Sequence, residues 1–167
     1  MANTYTLISS VTVGAGGVSS ISFSSIPGIY TDLCLKFSLR GNRASVYDQI
    51  YLDINGGGTA ATARYVMGNG SSASSGTTGA QIALGTGSTA TANTFGNGEV
   101  YFPNYAGSSY KSYSAEGVNE NNGTEAHASL FGSSWSNTSA ITSLLIYNNG
   151  GTISQYSTAY LYGIKNS

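Results

Sequence analysis

Charge is the scarcest resource in this sequence. Six Lys and Arg stand against seven Asp and Glu in 167 residues, so 8% of the chain is charged, about a third of what a soluble globular domain carries. A net charge of −1 supplies no basic groove for a phosphate backbone, and the shortage of Lys and Glu excludes a coiled coil and disfavours a helical bundle. One cysteine, Cys34, rules out an intrachain disulfide and with it the small disulfide-stapled class. No apolar run approaches the roughly 20 residues of a membrane-spanning helix. Residues 2–10 lack a basic start, and Thr4, Thr6, Ser9 and Ser10 interrupt their apolar residues, so they do not read as a secretion signal.

What fills the space is small and neutral. Gly, Ser, Thr and Asn make up 81 of the 167 residues, a composition that on its own permits disorder. The 13 Tyr, 5 Phe and one Trp argue for folding, because they are interleaved with Val, Ile and Leu. A chain of this length can bury its own core, and one shared between subunits would offset the scarcity of large apolar groups.

Along the chain the dominant period is two, the mark of half-buried strands. Residues 4–13 (TYTLISSVTV) are β-branched and aromatic. After the turn GAGG, residues 18–26 place Ile21 and Phe23 on one face and serines on the other, which predicts a hairpin with one wet side. In residues 32–40 Leu33, Leu35, Phe37 and Leu39 share a parity. In residues 46–54 Val46, Asp48, Ile50, Leu52 and Ile54 do the same. The connection over 41–45 is too short for a parallel crossover, so these two strands are expected to pair antiparallel. Residues 55–98 form a loop-rich region interrupted by short strands at 62–67 and 80–84. Further strands are expected at 99–102, 109–118, 125–131, 140–147 and 157–164, giving eight to ten in all. No linker divides the chain. The expected fold is all-β, a single antiparallel β-sandwich over residues 1–167 with jelly-roll or related Greek-key connections and long Gly/Ser-rich loops.

No residue pattern specifies a catalytic, cofactor or metal site. His127 lies between two alanines in a strand, where a structural hydrogen bond explains it better than base catalysis. Cys34 sits opposite the apolar parity of its strand and has no feature of an activated thiolate. Asp48 and Asp53 fall on opposite faces and make a poor acid pair for glycoside chemistry. Glu116, Glu120 and Glu125, with Asn119, Asn121 and Asn122, are better explained as solvated turn residues than as calcium ligands. The glycine runs match no phosphate-binding loop. Lys36, Arg40 and Arg43 are too few for a nucleic-acid surface. Glycosylation sequons at Asn69, Asn122 and Asn137 are expected by chance in so Ser/Thr-rich a chain. The tyrosines carry more weight: Tyr101, Tyr105, Tyr110 and Tyr113, with Phe102, and later Tyr147, Tyr156, Tyr160 and Tyr162 suit core and interface packing first and carbohydrate stacking second.

The phrases TYTLISSVTVGAGGVSSISFSSIPGIYTDLCLKFSLR, YFPNYAGSSYKSYSAEGVNENNGTEAHASLFGSSWS and TSAITSLLIYNNGGTISQYSTAYLYGI resemble segments of virion structural proteins of tailed bacteriophages, marine and cyanobacterial phages above all. The resemblance implies a β-rich homo-oligomer, with a trimer favoured, located at the particle surface. It carries over no catalytic residue. A chain this short resembles a capsid decoration or cement protein, non-enzymatic and bound to the major capsid protein or another virion protein. The alternative is a tail- or fibre-associated adhesin for host cell-surface glycans. An enzyme that cleaves host polysaccharide fits least, for want of a same-face acid pair. Residues 3–13 and the Gly-rich loops are the expected attachment segments. Neither a nucleic-acid partner nor membrane insertion is expected.

Overall fold

The computed structural model describes residues 4–57, 61–120 and 126–165. Asn3, Asn121, Asn122 and Glu125, singled out above, lie outside them. Twelve strands are present among the described residues: β1 Tyr5–Thr12, β2 Ser20–Phe23, β3 Asp32–Leu39, β4 Tyr47–Ile54, β5 Ala61–Gly68, β6 Ala73–Thr78, β7 Gln81–Thr86, β8 Gly96–Phe102, β9 Lys111–Asn119, β10 His127–Trp135, β11 Leu144–Asn148 and β12 Thr158–Ile164. They form two antiparallel sheets that pack together as a β-sandwich. The larger has eight strands in the order β1-β12-β3-β8-β9-β10-β5-β6, and the smaller has four in the order β2-β11-β4-β7.

The alternating segments behave as their period demands. Leu33, Leu35, Phe37 and Leu39 of β3 face Ile50, Leu52 and Ile54 of β4 across one interior, joined by Val100, Phe102, Phe131, Leu144, Ile146 and Leu161. Full burial of each such side chain contributes roughly 1.5–3 kcal/mol, and this interior is what holds the two layers together. β7, buried along its whole length, packs against β8, β9 and β10. Glycine makes that approach feasible: a Cβ on Gly117 would stand 2.8 Å from the Ala83 Cβ.

Two expected hairpins are corrected. β3 and β4 do not pair. β3 lies between β12 and β8 in the large sheet, and β4 between β11 and β7 in the small one. β1 and β2 likewise belong to different sheets. The short connections turn corners between layers about 10 Å apart. A period of two says that one face of a strand is buried; it does not say whether the next strand lies beside it or across the core from it.

Regular structure also reaches further into residues 55–98 than expected, with β6 (ASSGTT) wholly unanticipated because serine and glycine have little strand preference. β6 closes one end of the large sheet, and Ala73, Ser74 and Ser75 are exposed in succession, so it has no buried face there. With only four strands to cover eight, the small sheet leaves Tyr65 and Met67 of β5 half-buried on the inner side.

Candidate functional site

The outer face of the eight-stranded sheet is built by strands whose facing residues follow from register. One row runs Tyr160, Lys36, Glu99, Glu116, Leu130, Val66 and Ser75 across β12, β3, β8, β9, β10, β5 and β6. The next runs Asn97, Val118, Ala128, Gly68 and Ala73 across β8 to β6. Between Lys36 and Val66 in the first row and Asn97 and Ala73 in the second they floor an open trough of about 720 Å³. Val66, Val118 and Leu130 are 59%, 50% and 57% exposed, so three aliphatic side chains from three adjacent strands lie together in water. Isolated exposed aliphatics are ordinary, but a contiguous patch marks a contact surface.

The polar edge of the trough is a short charge ladder. Lys36 Nζ lies 2.6 Å from Glu99 Oε2, and that hydrogen bond raises the lysine above its ordinary value. Glu116 sits directly across from Glu99, so Lys36 balances one of two facing carboxylates.

Beyond Lys36 the face becomes aromatic. Tyr162 pairs with Cys34, and Cys34 with Tyr101. Tyr5 meets Tyr162 edge-on with ring centroids 6.1 Å apart. Cys34, on this outer side, is fully buried among these long neighbours. Burial, reinforced by the Glu99 carboxylate, pushes its thiol up to about 12, the opposite direction from the lowered value of an activated thiolate. Tyr101 Oη donates to Asp32 Oδ2 (2.7 Å), and this bond first, then burial, pushes the phenol up to about 12.

The other candidates are dispersed into structural roles. Arg40 turns away from Lys36 and clamps the loop over 87–95. Its Nη1 donates to Thr91 O (2.8 Å), Thr94 O (3.0 Å) and Thr94 Oγ1 (3.2 Å), and its Nη2 to Ser88 O (3.2 Å) and Ala90 O (2.9 Å). Arg43 lies over the Tyr47 ring at 5.6 Å, and the same ring meets His127 edge-on at 5.0 Å. The His127 backbone N–H donates to Asn119 Oδ1 (2.8 Å). Asp48 is buried, and its carboxylate accepts from Gln49 N (2.8 Å), Asn148 Nδ2 (3.0 Å) and Arg43 N (3.4 Å). Burial nevertheless raises it above the ordinary carboxylate range. Asp53 is on the opposite parity, as expected. Glu116 and Glu120 are exposed, and no group of three or more His, Cys, Asp and Glu able to hold a metal occurs among the described residues.

Of the tyrosines, Tyr105 and Tyr113 are buried in the core, while Tyr110 and Tyr156 are each 64% exposed. Tyr147 stacks on Tyr51 with centroids 5.6 Å apart. Two features went unforeseen. Lys111 is buried, its ammonium donating to the carbonyls of Gly107 (2.7 Å), Ser109 (2.5 Å) and Thr138 (3.4 Å) and lying 6.0 Å from the Trp135 ring. The aliphatic patch itself was detectable in principle: Val118 and Leu130 sit on the parity of Ser114, Glu116 and Ala128, where water-facing residues belong.

No protein-family model, no curated protein and no solved structure matches the chain.

Proposed function

We propose that this chain is a non-enzymatic structural module of a virion surface, a capsid decoration or cement protein that attaches through the outer face of its eight-stranded sheet. The carrying observation is the Val66, Val118 and Leu130 patch, apolar, contiguous and left uncovered by the four-stranded sheet. Covering such a patch on a neighbouring coat surface removes apolar area from water. Release then requires separating both partners. The near-neutral chain adds little repulsion when many copies crowd together, and the sequence resemblance to phage virion proteins favours the same setting.

The finer topology belongs to this proposal. β1 pairs with β12, β2 with β11, β3 with β8 and β4 with β7, and successive pairs alternate between the two sheets. That nesting supports a jelly-roll order, with β5, β6, β9 and β10 as an inserted extension of the large sheet.

The test is particle occupancy. Leu130→Glu places a carboxylate in the patch at an exposed position. Quantitative mass spectrometry of purified particles is expected to show strong loss of this chain while the isolated variant keeps the wild-type melting curve. Undiminished occupancy would remove the outer face as the attachment surface. The second function, adhesion to host glycans, is favoured by a separate observation: Tyr156 holds a left-handed backbone (φ 69°) that bulky residues seldom adopt, with its ring largely in solvent. Glycan-array binding lost in Tyr156→Ala would support it.

A further inference from the structure

The two sheets have four edges, and three of them are blunted. β1 breaks its ladder with β12 by a register shift between Leu7 and Ser9. β2 is only four residues long, and β7 is buried throughout. Bulges, brevity and burial are the devices by which edge strands avoid pairing with other chains. β6 has none of them. Its ladder with β5 is regular through six successive pairs, and it carries no charge and no proline. Ala73, Ser74, Ser75 and Thr77 are exposed, and among the described residues no strand pairs with its far side.

We propose that β6 is a homotypic docking edge, through which two copies of this chain join antiparallel about a twofold axis and fuse their large sheets into one. A second copy fits better than a foreign strand for three reasons. Every pair in the large sheet is already antiparallel, so a twofold-related β6 continues the existing pattern. Opposite residues in an antiparallel ladder share a face, so an axis normal to the sheet must set a residue against its own copy. The residues at hand are Ser75 and its neighbours Ser74 and Gly76, small and uncharged, so identical strands meet there without repulsion.

The packing of Tyr65 selects the register. Gly76 lies under the Tyr65 ring, whose Oη would stand 2.9 Å from a Cβ at that position. Placing Gly76 on the axis would set the two rings directly opposite one another across the new strand pair. With Ser75 on the axis, Gly76 faces Ser74 of the second copy and the two rings flank the dyad. Tyr65 and Met67, half-buried beyond the small sheet, then gain cover from the second copy. The dimer uses the main-chain edge of β6, and Ser75 lies beyond the lining of the trough assigned to attachment, so either proposal can fail without the other.

Sedimentation equilibrium decides the matter. The wild-type chain is expected at twice its 17.1 kDa mass, and Ser75→Lys and Ser75→Glu each at the single-chain mass yet still folded by circular dichroism, because position 75 is exposed; their melting should match that of wild type diluted to its single-chain form. An equimolar mixture of the two variants is expected to regain the doubled mass, since lysine then faces glutamate across the axis. Ser9→Lys on β1, the opposite edge, is expected to leave the dimer intact. The proposal is overturned by a wild-type chain that stays single up to about 1 mM, the weak end of measurable affinity, or by a trimer. It is equally overturned by a dimer that survives Ser75→Lys, or by a variant mixture that stays at the single-chain mass.

Discussion

Replacing Arg40 by lysine asks whether one guanidinium holds the loop over 87–95 against the sandwich. The two terminal nitrogens serve different stretches, Nη1 binding Thr91 and Thr94 and Nη2 binding Ser88 and Ala90. Lysine keeps the charge but offers one nitrogen on a flexible stem, so it can satisfy one stretch and must release the other. Two lost hydrogen bonds at a net of roughly 0.5–1.5 kcal/mol each put the cost at about 1–3 kcal/mol. The loop keeps its other ties, from Gly87 N to Val46 O, Ser88 N to Arg43 O and Thr89 N to Ser45 O, so the loss is expected as local opening. Amide hydrogen exchange over residues 88–94 should therefore accelerate by about 5- to 150-fold in Arg40→Lys, while amides in β9 and β10 keep their protection. Unchanged exchange in the loop would refute the clamp, and uniform acceleration across the protein would show that Arg40 supports global stability instead.

Three further outcomes follow from the packing and the titrating groups. Gly117→Ala forces a methyl against Ala83 and is expected to cost about 1–3 kcal/mol in denaturant unfolding, whereas Gly132→Ala, where a Cβ meets nothing within 4 Å, should stay within about 0.5 kcal/mol of wild type. Asp48, raised by burial, binds its proton more tightly folded than unfolded. Its contribution to stability is thus present below the ordinary 3.8 and lost as pH rises through the raised folded value. Relative to Asp48→Asn, the wild type should gain stability as pH falls from 7, and parallel urea midpoints across that range would contradict the raised value. Cys34, shifted from 9.0 to about 12, has about 1,000-fold less thiolate at pH 8 when folded; a thiol reagent should label it at least that much more slowly in buffer than in denaturant, and comparable rates would exclude its burial.

The asparagine hubs illustrate what local sequence cannot announce. Asn55 takes a left-handed backbone (φ 55°), and its Oδ1 accepts from Thr142 N (2.8 Å) and Ser143 N (3.0 Å) while its Nδ2 donates to Ala140 O (2.8 Å). An NGGG run reads as a turn, and Asn55 and Gly56 do turn the chain, but the partner of Asn55 lies far along the sequence. The same holds for Lys36, Arg40 and Arg43. Seen in sequence they are one basic group; folded, they are an ion pair, a loop clamp and a cation over a ring.

The strands with one apolar parity were legible because period-two patterning depends only on neighbours within a strand. β3, β4, β9, β10 and β12 all lie within a few residues of where the alternation puts them, and the lack of charge already pointed to a β-rich, neutral surface. Which strands pair was not legible, because a corner and a hairpin need connections of similar length and the choice rests on the whole core. β6 was invisible for a related reason: ASSGTT has little strand preference before its two threonines and no apolar alternation, and it pairs along its length with β5. The candidate face belongs to the same category. Val66, Val118 and Leu130 are single off-parity residues in three separate segments, and only the ladders that set β9, β10 and β5 side by side make them one surface.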